Sequence, residues 1–152
     1  MKSISRPSLL VLLGAAAVIA LALIGPRWLP GPEGASGQDE ENVLDRQLRA
    51  VVQRLEKKQQ VIAALLGGRL SLLEAAARFR ELNETPSELP NHSYRILFEG
   101  KSDEERLCRQ VIAWAYNEAE VSSPEGARAV RRRLEAELAE HLARHGTVVL
   151  PP

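Results

Sequence analysis

The stretch that decides the fold is residues 42–68, "NVLDRQLRAVVQRLEKKQQVIAALLGG". Its apolar residues recur at alternating steps of four and three, the period of one face of an α-helix; they are Leu44, Leu48, Val51, Leu55, Ile62 and Leu65. Lys58 alone interrupts this series. Gly67 and Gly68 end it, as glycines commonly end helices. The stretch therefore predicts one long amphipathic helix from about Asp39 to Leu66.

The same spacing fits two arrangements of this helix. With Leu48, Leu55 and Ile62 at the a positions, it forms the seam of a coiled coil between two chains. However, Val52 and Val61 at the flanking positions widen the apolar face beyond such a seam. The wide face favours packing inside a bundle of the same chain, and the intermolecular coiled coil stays open as the alternative.

Three further helices are indicated by the serines that open them. The first runs from Ser71 to about Asn83, the second begins at Ser102, and the third runs from Ser123 to about Arg144. In the first two, a glutamate follows the serine three residues later, which is the pattern of a capping box. In the third, proline follows the serine, and proline is well tolerated at the first helical position.

Residues 92–100, "HSYRILFEG", show no decisive period. We expect a short helical turn or an extended piece there, whose apolar residues Ile96, Leu97 and Phe98 fill the core. The predicted fold class is all-α: a bundle of about four helices over residues 39–146, followed by a tail at 147–152.

Residues 8–25 form an uncharged run of 18 between Pro7 and Pro26. As a helix the run is about 27 Å long, close to the thickness of a bilayer's hydrocarbon core. Residues 1–25 are therefore predicted to be a signal anchor, or a signal peptide that is cleaved near the small-x-small triplet 20–22. Residues 26–38 contain three prolines and three glycines and are predicted to be a flexible linker.

The charges around the apolar run predict its orientation. Lys2 and Arg6 precede it, whereas Arg27 alone follows closely and acids lie beyond. By the positive-inside rule the N-terminus stays in the cytoplasm. The expected protein is a single-pass membrane protein whose helical domain is extracytoplasmic. If the segment is cleaved, the domain is instead periplasmic or secreted.

Composition argues against a nucleic-acid partner and against a disulfide within the chain. Beyond residue 25 the chain has 18 basic and 20 acidic residues, a net charge of −2, so no attraction to nucleic acid is expected. Cys108 is the single cysteine, which rules out a disulfide within the chain.

Three residues near the C-terminus are candidate metal ligands. Glu137, His141 and His145 follow one another at steps of four and could project from one helical face. Histidines near a helix C-terminus also interact favourably with its negative end, without any metal. No metal site or cofactor is predicted, and a periplasmic metal sensor or carrier using these residues is kept as the alternative function.

Two other features are interpreted structurally. Cys108 is expected to be a small buried hydrophobe, although as a nucleophile it could have His92 as a partner. In the arginine run 131–133, Arg131 and Arg133 are expected to pair with Glu135 and Glu137 on a solvated helix face. No sequence signature of an enzyme is present, and the protein is predicted not to be one.

Three segments resemble a family of short bacterial proteins that have an N-terminal apolar segment and a helical domain. They are "LLGGRLSLLEAAARFRELN", "DEERLCRQVIAW" and "RRRLEAELAEHL". The resemblance covers about residues 40–145 and implies no functional residues. An anchor followed by an exported helical hairpin is also similar in architecture to periplasmic metal-resistance sensors and small envelope chaperones, whose Leu-Thr-x-x-Gln motif is absent from this sequence.

The predicted function is that of a membrane-anchored, extracytoplasmic module for protein interaction or regulation. Its expected partners are the membrane, through residues 8–25, and either another protein or further copies of the chain, through the amphipathic helices.

Overall fold

The computed structural model describes the backbone over residues 37–86 and 89–152, with side chains from residue 43 onward within those ranges. This part contains five helices and no strand: α1 (Gly37–Leu66), α2 (Leu72–Glu84), α3 (Tyr94–Leu97), α4 (Asp103–Ser122) and α5 (Pro124–His145). The all-α prediction is confirmed there, with α3 as a short addition to the four expected helices. The predicted membrane segment at 8–25 lies outside the described residues. Among the helices that are described, none has the length and apolar character needed to cross a membrane.

The serine caps that the sequence predicts are formed at α2 and α5. The Ser71 hydroxyl accepts a hydrogen bond from the Glu74 N–H, and the Glu74 carboxylate accepts one from the Ser71 N–H. Ser123 accepts from the Gly126 N–H at the start of α5. At the other end of α5, Gly146 adopts a left-handed conformation with φ of 73°, which a side chain would strain.

The second predicted capping box is only half formed. Ser102 accepts from the Glu105 N–H at 3.2 Å, as expected. Glu105 does not reach back to Ser102: its carboxylate accepts from the Lys101 N–H at 2.9 Å and pairs with Arg109 at 2.8 Å. The bond from Arg109, followed by the one from Lys101, holds the pKa of Glu105 below its usual value. The prediction of a reciprocal box at α4 was wrong because these two donors occupy the carboxylate.

The core lies between α2, α4 and α5, with the second half of α1 laid against it. Three consecutive alanines of α2, residues 75–77, are buried and allow α4 to approach closely. Phe79 of α2 meets Trp114 of α4 edge to face, with ring centroids 5.7 Å apart. The tail also contributes, since Val148 and Leu150 are buried in the same cluster.

The prediction that Ile96, Leu97 and Phe98 together fill the core was wrong. Ile96 is 88% exposed and Leu97 67% exposed, whereas Phe98 is partly buried and Tyr94 is fully buried. The reason is geometric: α3 is a single turn, and Phe98, which caps it, lies one full turn after Tyr94 on the same side. Tyr94 and Phe98 therefore take the inner side, and the two aliphatic residues between them face outward.

Helix α5 holds the turn that joins α1 to α2. Arg133 donates to the carbonyl oxygen of Leu65 at 3.5 Å, and Glu137 accepts from the Leu72 N–H at 2.9 Å. A cation thus lies at the C-terminal end of α1 and an anion at the N-terminal end of α2, which is the favourable sign at each end. The predicted Arg133–Glu137 pair is absent because backbone groups at these two helix ends bind both side chains.

Candidate interaction surface on the first helix

Only the second half of α1 is covered by the rest of the described chain. Ile62 and Leu65 are almost completely buried, each 1% exposed, whereas Leu44 and Leu48 are 53% and 54% exposed. All four belong to one series at steps of three and four, so they lie on the same face of the helix. That face is part of the core in one half of α1 and open to solvent in the other.

The open part of this face is a continuous apolar surface, here named the α1 stripe. It consists of three exposed residues, Leu44, Leu48 and Val52, together with the half-buried Val51 and Leu55. Scattered surface apolar residues are ordinary, but a contiguous apolar patch commonly marks a site of protein or membrane contact. The α1 stripe is therefore the candidate functional surface of the described chain.

A buried polar group lies where the covered half of α1 begins. Lys58 is 1% exposed, and its ammonium donates to Asn83 Oδ1 at 2.5 Å. Asn83 in turn donates from Nδ2 to Gln110 Oε1 at 3.3 Å. This Lys58 cluster, consisting of Lys58, Asn83, Gln110 and the neighbouring Arg54, links α1 to α2 and α4.

Two aromatic rings cover the Lys58 ammonium. Its nitrogen lies 5.1 Å from the centroid of Phe79 and 5.6 Å from that of Trp114. These distances are within the range in which a cation is attracted to the face of an aromatic ring. The rings replace part of the hydration that Lys58 loses on burial.

Arg54 binds backbone carbonyl groups at and beyond the C-terminal end of α2, the end that also contains Asn83. Its Nε donates to the Thr85 carbonyl oxygen at 3.1 Å, and its Nη2 donates to the carbonyl oxygen of Leu89. No carboxylate in the described ranges forms an ion pair with Arg54 or Lys58. Their negative counterpart is instead the carbonyl end of α2, where a helix dipole favours cations.

Burial, and to a smaller extent the positive charge of Arg54, lowers the pKa of Lys58 from 10.5 to about 8. In mildly alkaline solution, a substantial fraction of the folded molecules therefore has a neutral Lys58 amine. A neutral amine still donates to Asn83, so the link between α1 and α2 does not need the charge.

We expect the free energy of unfolding to rise by about 1 kcal/mol between pH 7 and pH 9. In this window the unfolded chain keeps the Lys58 proton, whereas the folded protein releases it near pH 8. Because the unfolded state binds more protons, stability increases with pH. Above pH 9 the trend reverses in part, since burial raises the pKa of the Cys108 thiol from 9.0 to about 12 and the unfolded state then loses that proton first.

Urea unfolding of the full chain in detergent micelles at pH 7, 8 and 9 measures this rise. The control is Lys58→Met, which keeps the side-chain length and lacks the titrating amine. Parallel pH profiles for the two proteins would show that Lys58 titrates normally in the folded state.

The structure confirms Cys108 as a small buried hydrophobe. Its side chain is inaccessible, and burial is the main cause of its raised pKa, with Glu137 and Glu105 adding to it. A raised pKa suppresses the thiolate, which is the form needed for nucleophilic attack. His92, the partner considered from the sequence, lies exposed beside the Tyr94 ring.

The three candidate metal ligands are not brought together as a site. The rings of His141 and His145 lie 4.6 Å apart, but Glu137 is engaged by the Leu72 N–H. The His141 Nε2 atom is buried and has no hydrogen-bond partner within the described residues. Over residues 37–86 and 89–152, no group of three or more His, Cys, Asp or Glu side chains is arranged to hold a metal ion.

The arginine run at 131–133 follows its predicted role in part. Arg131 pairs with Glu135 at 2.7 Å on an exposed face, as expected from their spacing. Arg133 does not pair on that face and instead donates to the Leu65 carbonyl oxygen at the end of α1.

Sequence reasoning missed the Lys58 cluster, although one signal for it was visible. Lys58 interrupts an otherwise apolar series at a position that faces inward, between Leu55 and Ile62. Long charged side chains are rarely fully buried without partners, so a lysine at such a position predicts a polar partner on the helix opposite. Asn83 and Gln110 could not be paired with it before the packing of α2 and α4 was known.

No protein-family model, curated protein or solved structure matches this chain.

Proposed function

We propose that this chain is a membrane-tethered, extracytoplasmic helical module that binds protein through the α1 stripe. The observation that carries the proposal is the solvent exposure of Leu44 and Leu48 on the face that α1 elsewhere buries in the core. A face of this kind is stable in water when another apolar surface covers it.

The anchoring of α1 supports the same function. Its second half is fixed to the core by Ile62, Leu65 and the Lys58 cluster. The first half is therefore presented at a defined orientation, which lowers the entropic cost of binding.

The membrane part of the proposal depends on the sequence. The apolar run at 8–25 and the bases before it predict an anchor with the domain outside the cytoplasm. A linker such as residues 26–36 spans roughly 20 Å when flexible, so the domain can reach partners near the membrane surface.

The experiment is site-specific photocrosslinking of the full chain in intact bacterial cells. With a photoreactive residue at position 48, we expect discrete protein adducts, which disappear when Leu44 and Val52 are both changed to Asp. The matched control is position 96, because Ile96 is also apolar and even more exposed but lies outside the α1 stripe.

The same cells test the tether. We expect the chain in the membrane fraction after alkaline extraction, and its domain digested when protease is added to spheroplasts. A chain recovered from the cytosol would contradict the membrane part of the proposal. Equal adducts from positions 48 and 96, or none from position 48, would contradict the interaction part.

A further inference from the structure

A groove lies between the second half of α1, the turn that follows it and α2. Its volume is about 460 Å³, within the range of roughly 300–1,000 Å³ that is typical of ligand-binding clefts. Beside the groove, Lys58 of α1 reaches Asn83 of α2 through its long side chain, so the two helices are linked without close packing of their backbones. The groove is the space that remains on one side of this link.

The floor of the groove is apolar. It is lined by Val61 and Ala64 of α1, Leu70 of the turn and Leu82 of α2. Each of these four side chains is only half-buried. Apolar surface is therefore left in the groove, and its removal from water by a ligand is favourable.

The rim of the groove is mainly basic. Among the described residues it contains three bases, Lys57, Arg69 and Arg78, and one acid, Glu81, all of them exposed. Within residues 43–86 and 89–152, none of the three bases forms an ion pair. The rim thus has an excess of positive charge that ion pairs of the chain itself do not neutralise.

Two of the three bases are arginines, whose planar guanidinium group binds phosphate or carboxylate through two parallel hydrogen bonds. Glu74 lies one turn before Arg78, but its carboxylate accepts hydrogen bonds from the N–H and the hydroxyl of Ser71. The Arg78 guanidinium therefore keeps its donors for an external anion.

We propose that this groove binds an anionic amphiphile, with a phosphate headgroup at the basic rim and an alkyl chain on the apolar floor. A ligand with a phosphate alone would leave the floor uncovered, and an uncharged apolar ligand would leave the bases without a partner. The phosphate amphiphile is supplied either by a phospholipid of a bilayer or by a free alkyl phosphate. The groove is separate from the α1 stripe, so the inference does not rest on the proposed function.

The test is isothermal titration calorimetry of the full chain in phosphatidylcholine nanodiscs, with hexyl phosphate as the probe and empty nanodiscs as the blank. We expect a dissociation constant on the order of 1 mM, because ion pairs at an exposed rim contribute little. Inorganic phosphate should bind about tenfold more weakly, since it has no chain to cover the floor. Hexyltrimethylammonium, which has the same chain and the opposite charge, should not bind.

Each comparison has a result that overturns the inference. Equal affinities for hexyl phosphate and inorganic phosphate would show that the floor takes no part. Equal affinities for hexyl phosphate and hexyltrimethylammonium would show that the bases take no part. The absence of hexyl phosphate binding would overturn the site as a whole.

Variants locate the binding in the groove. Arg69→Gln combined with Arg78→Gln should raise the dissociation constant of hexyl phosphate about tenfold. The matched control is Arg128→Gln combined with Arg132→Gln, which removes the same charge from exposed positions of α5 outside the groove and should change nothing. Equal weakening by both pairs would reveal an effect of net charge alone and overturn the site.

The apolar floor has its own variant. Ala64→Phe fills the floor with a larger side chain and leaves the bases in place, so it should abolish the preference for hexyl phosphate over inorganic phosphate. A preference that stays at about tenfold would overturn the floor as the place of the alkyl chain.

The source of the ligand follows from the same titration in phosphatidylglycerol nanodiscs. If the groove takes a bilayer lipid, phosphatidylglycerol competes with hexyl phosphate, and the tenfold difference between the wild-type chain and the Arg69→Gln/Arg78→Gln chain disappears. If the difference persists, the ligand is a free amphiphile. Repulsion by the anionic bilayer weakens binding to both chains alike and leaves their ratio unchanged.

Discussion

Lys58→Ala is expected to lower the free energy of unfolding by about 3 kcal/mol at pH 7. The substitution removes a side chain that is almost completely enclosed and leaves a cavity below Phe79 and Trp114. It also leaves Asn83 Oδ1 without its buried donor, which adds the cost of an unsatisfied polar group. Relief of the desolvated charge offsets part of this loss and is included in the estimate.

The matched control is Lys57→Ala, since Lys57 is the adjacent residue and is exposed. Its effect is expected to stay within about 0.5 kcal/mol. Urea unfolding of the full chain, followed by Trp114 fluorescence in a Trp28→Phe background, measures both. Equal effects of the two substitutions would mean that Lys58 is not enclosed in the folded protein.

Phe79→Ala is expected to lower the free energy of unfolding by about 4 kcal/mol. Phe79 is fully buried, contacts Trp114 edge to face and covers the Lys58 ammonium, so three sets of contacts are lost at once. Arg78→Ala is the control on the same helix, because Arg78 is exposed. The same unfolding experiment applies, and a loss below about 1 kcal/mol would contradict the central place of Phe79 in the core.

The two substitutions are also expected to be coupled. When Lys58→Ala and Phe79→Ala are combined, the loss should be smaller than the sum of the single losses by about 1 kcal/mol, because the cation–ring contact can be lost only once. Strict additivity would indicate that the ammonium and the ring do not interact.

The helix limits could be predicted because they depend on neighbours in the sequence. Ser71 caps α2 through residues within one turn, and Gly146 ends α5 through its own backbone conformation. Such interactions are contained in a few consecutive residues, so no knowledge of the packing is needed.

The predictions that failed depended on distant parts of the chain. Arg133 had a suitable partner four residues away, but the end of α1 lay closer to it in the folded protein. Glu105 similarly turned toward Lys101 and Arg109 and did not complete a capping box. When several partners are available, the choice follows from the packing of helices and not from spacing.

The prediction of the candidate interaction surface from the sequence is limited in the same way. The period of apolar residues in α1 correctly identified the face that prefers to be buried, but it could not show how far the rest of the chain extends along that face. In both arrangements considered from the sequence, the bundle and the coiled coil, Leu48 and Ile62 lie on the same buried face of α1. Only the packing of α2 and α4 shows that Ile62 is covered and Leu48 is not.

Because α1 is one uninterrupted helix about 45 Å long and, among the described residues, packs against other helices only along its second half, it can act as a rigid lever. A force applied at the Gly37 end, where the predicted linker ends, acts on Arg54 and Lys58 with a long moment arm. A small rotation of the packed half would move the N-terminal end of α1 by a much larger distance.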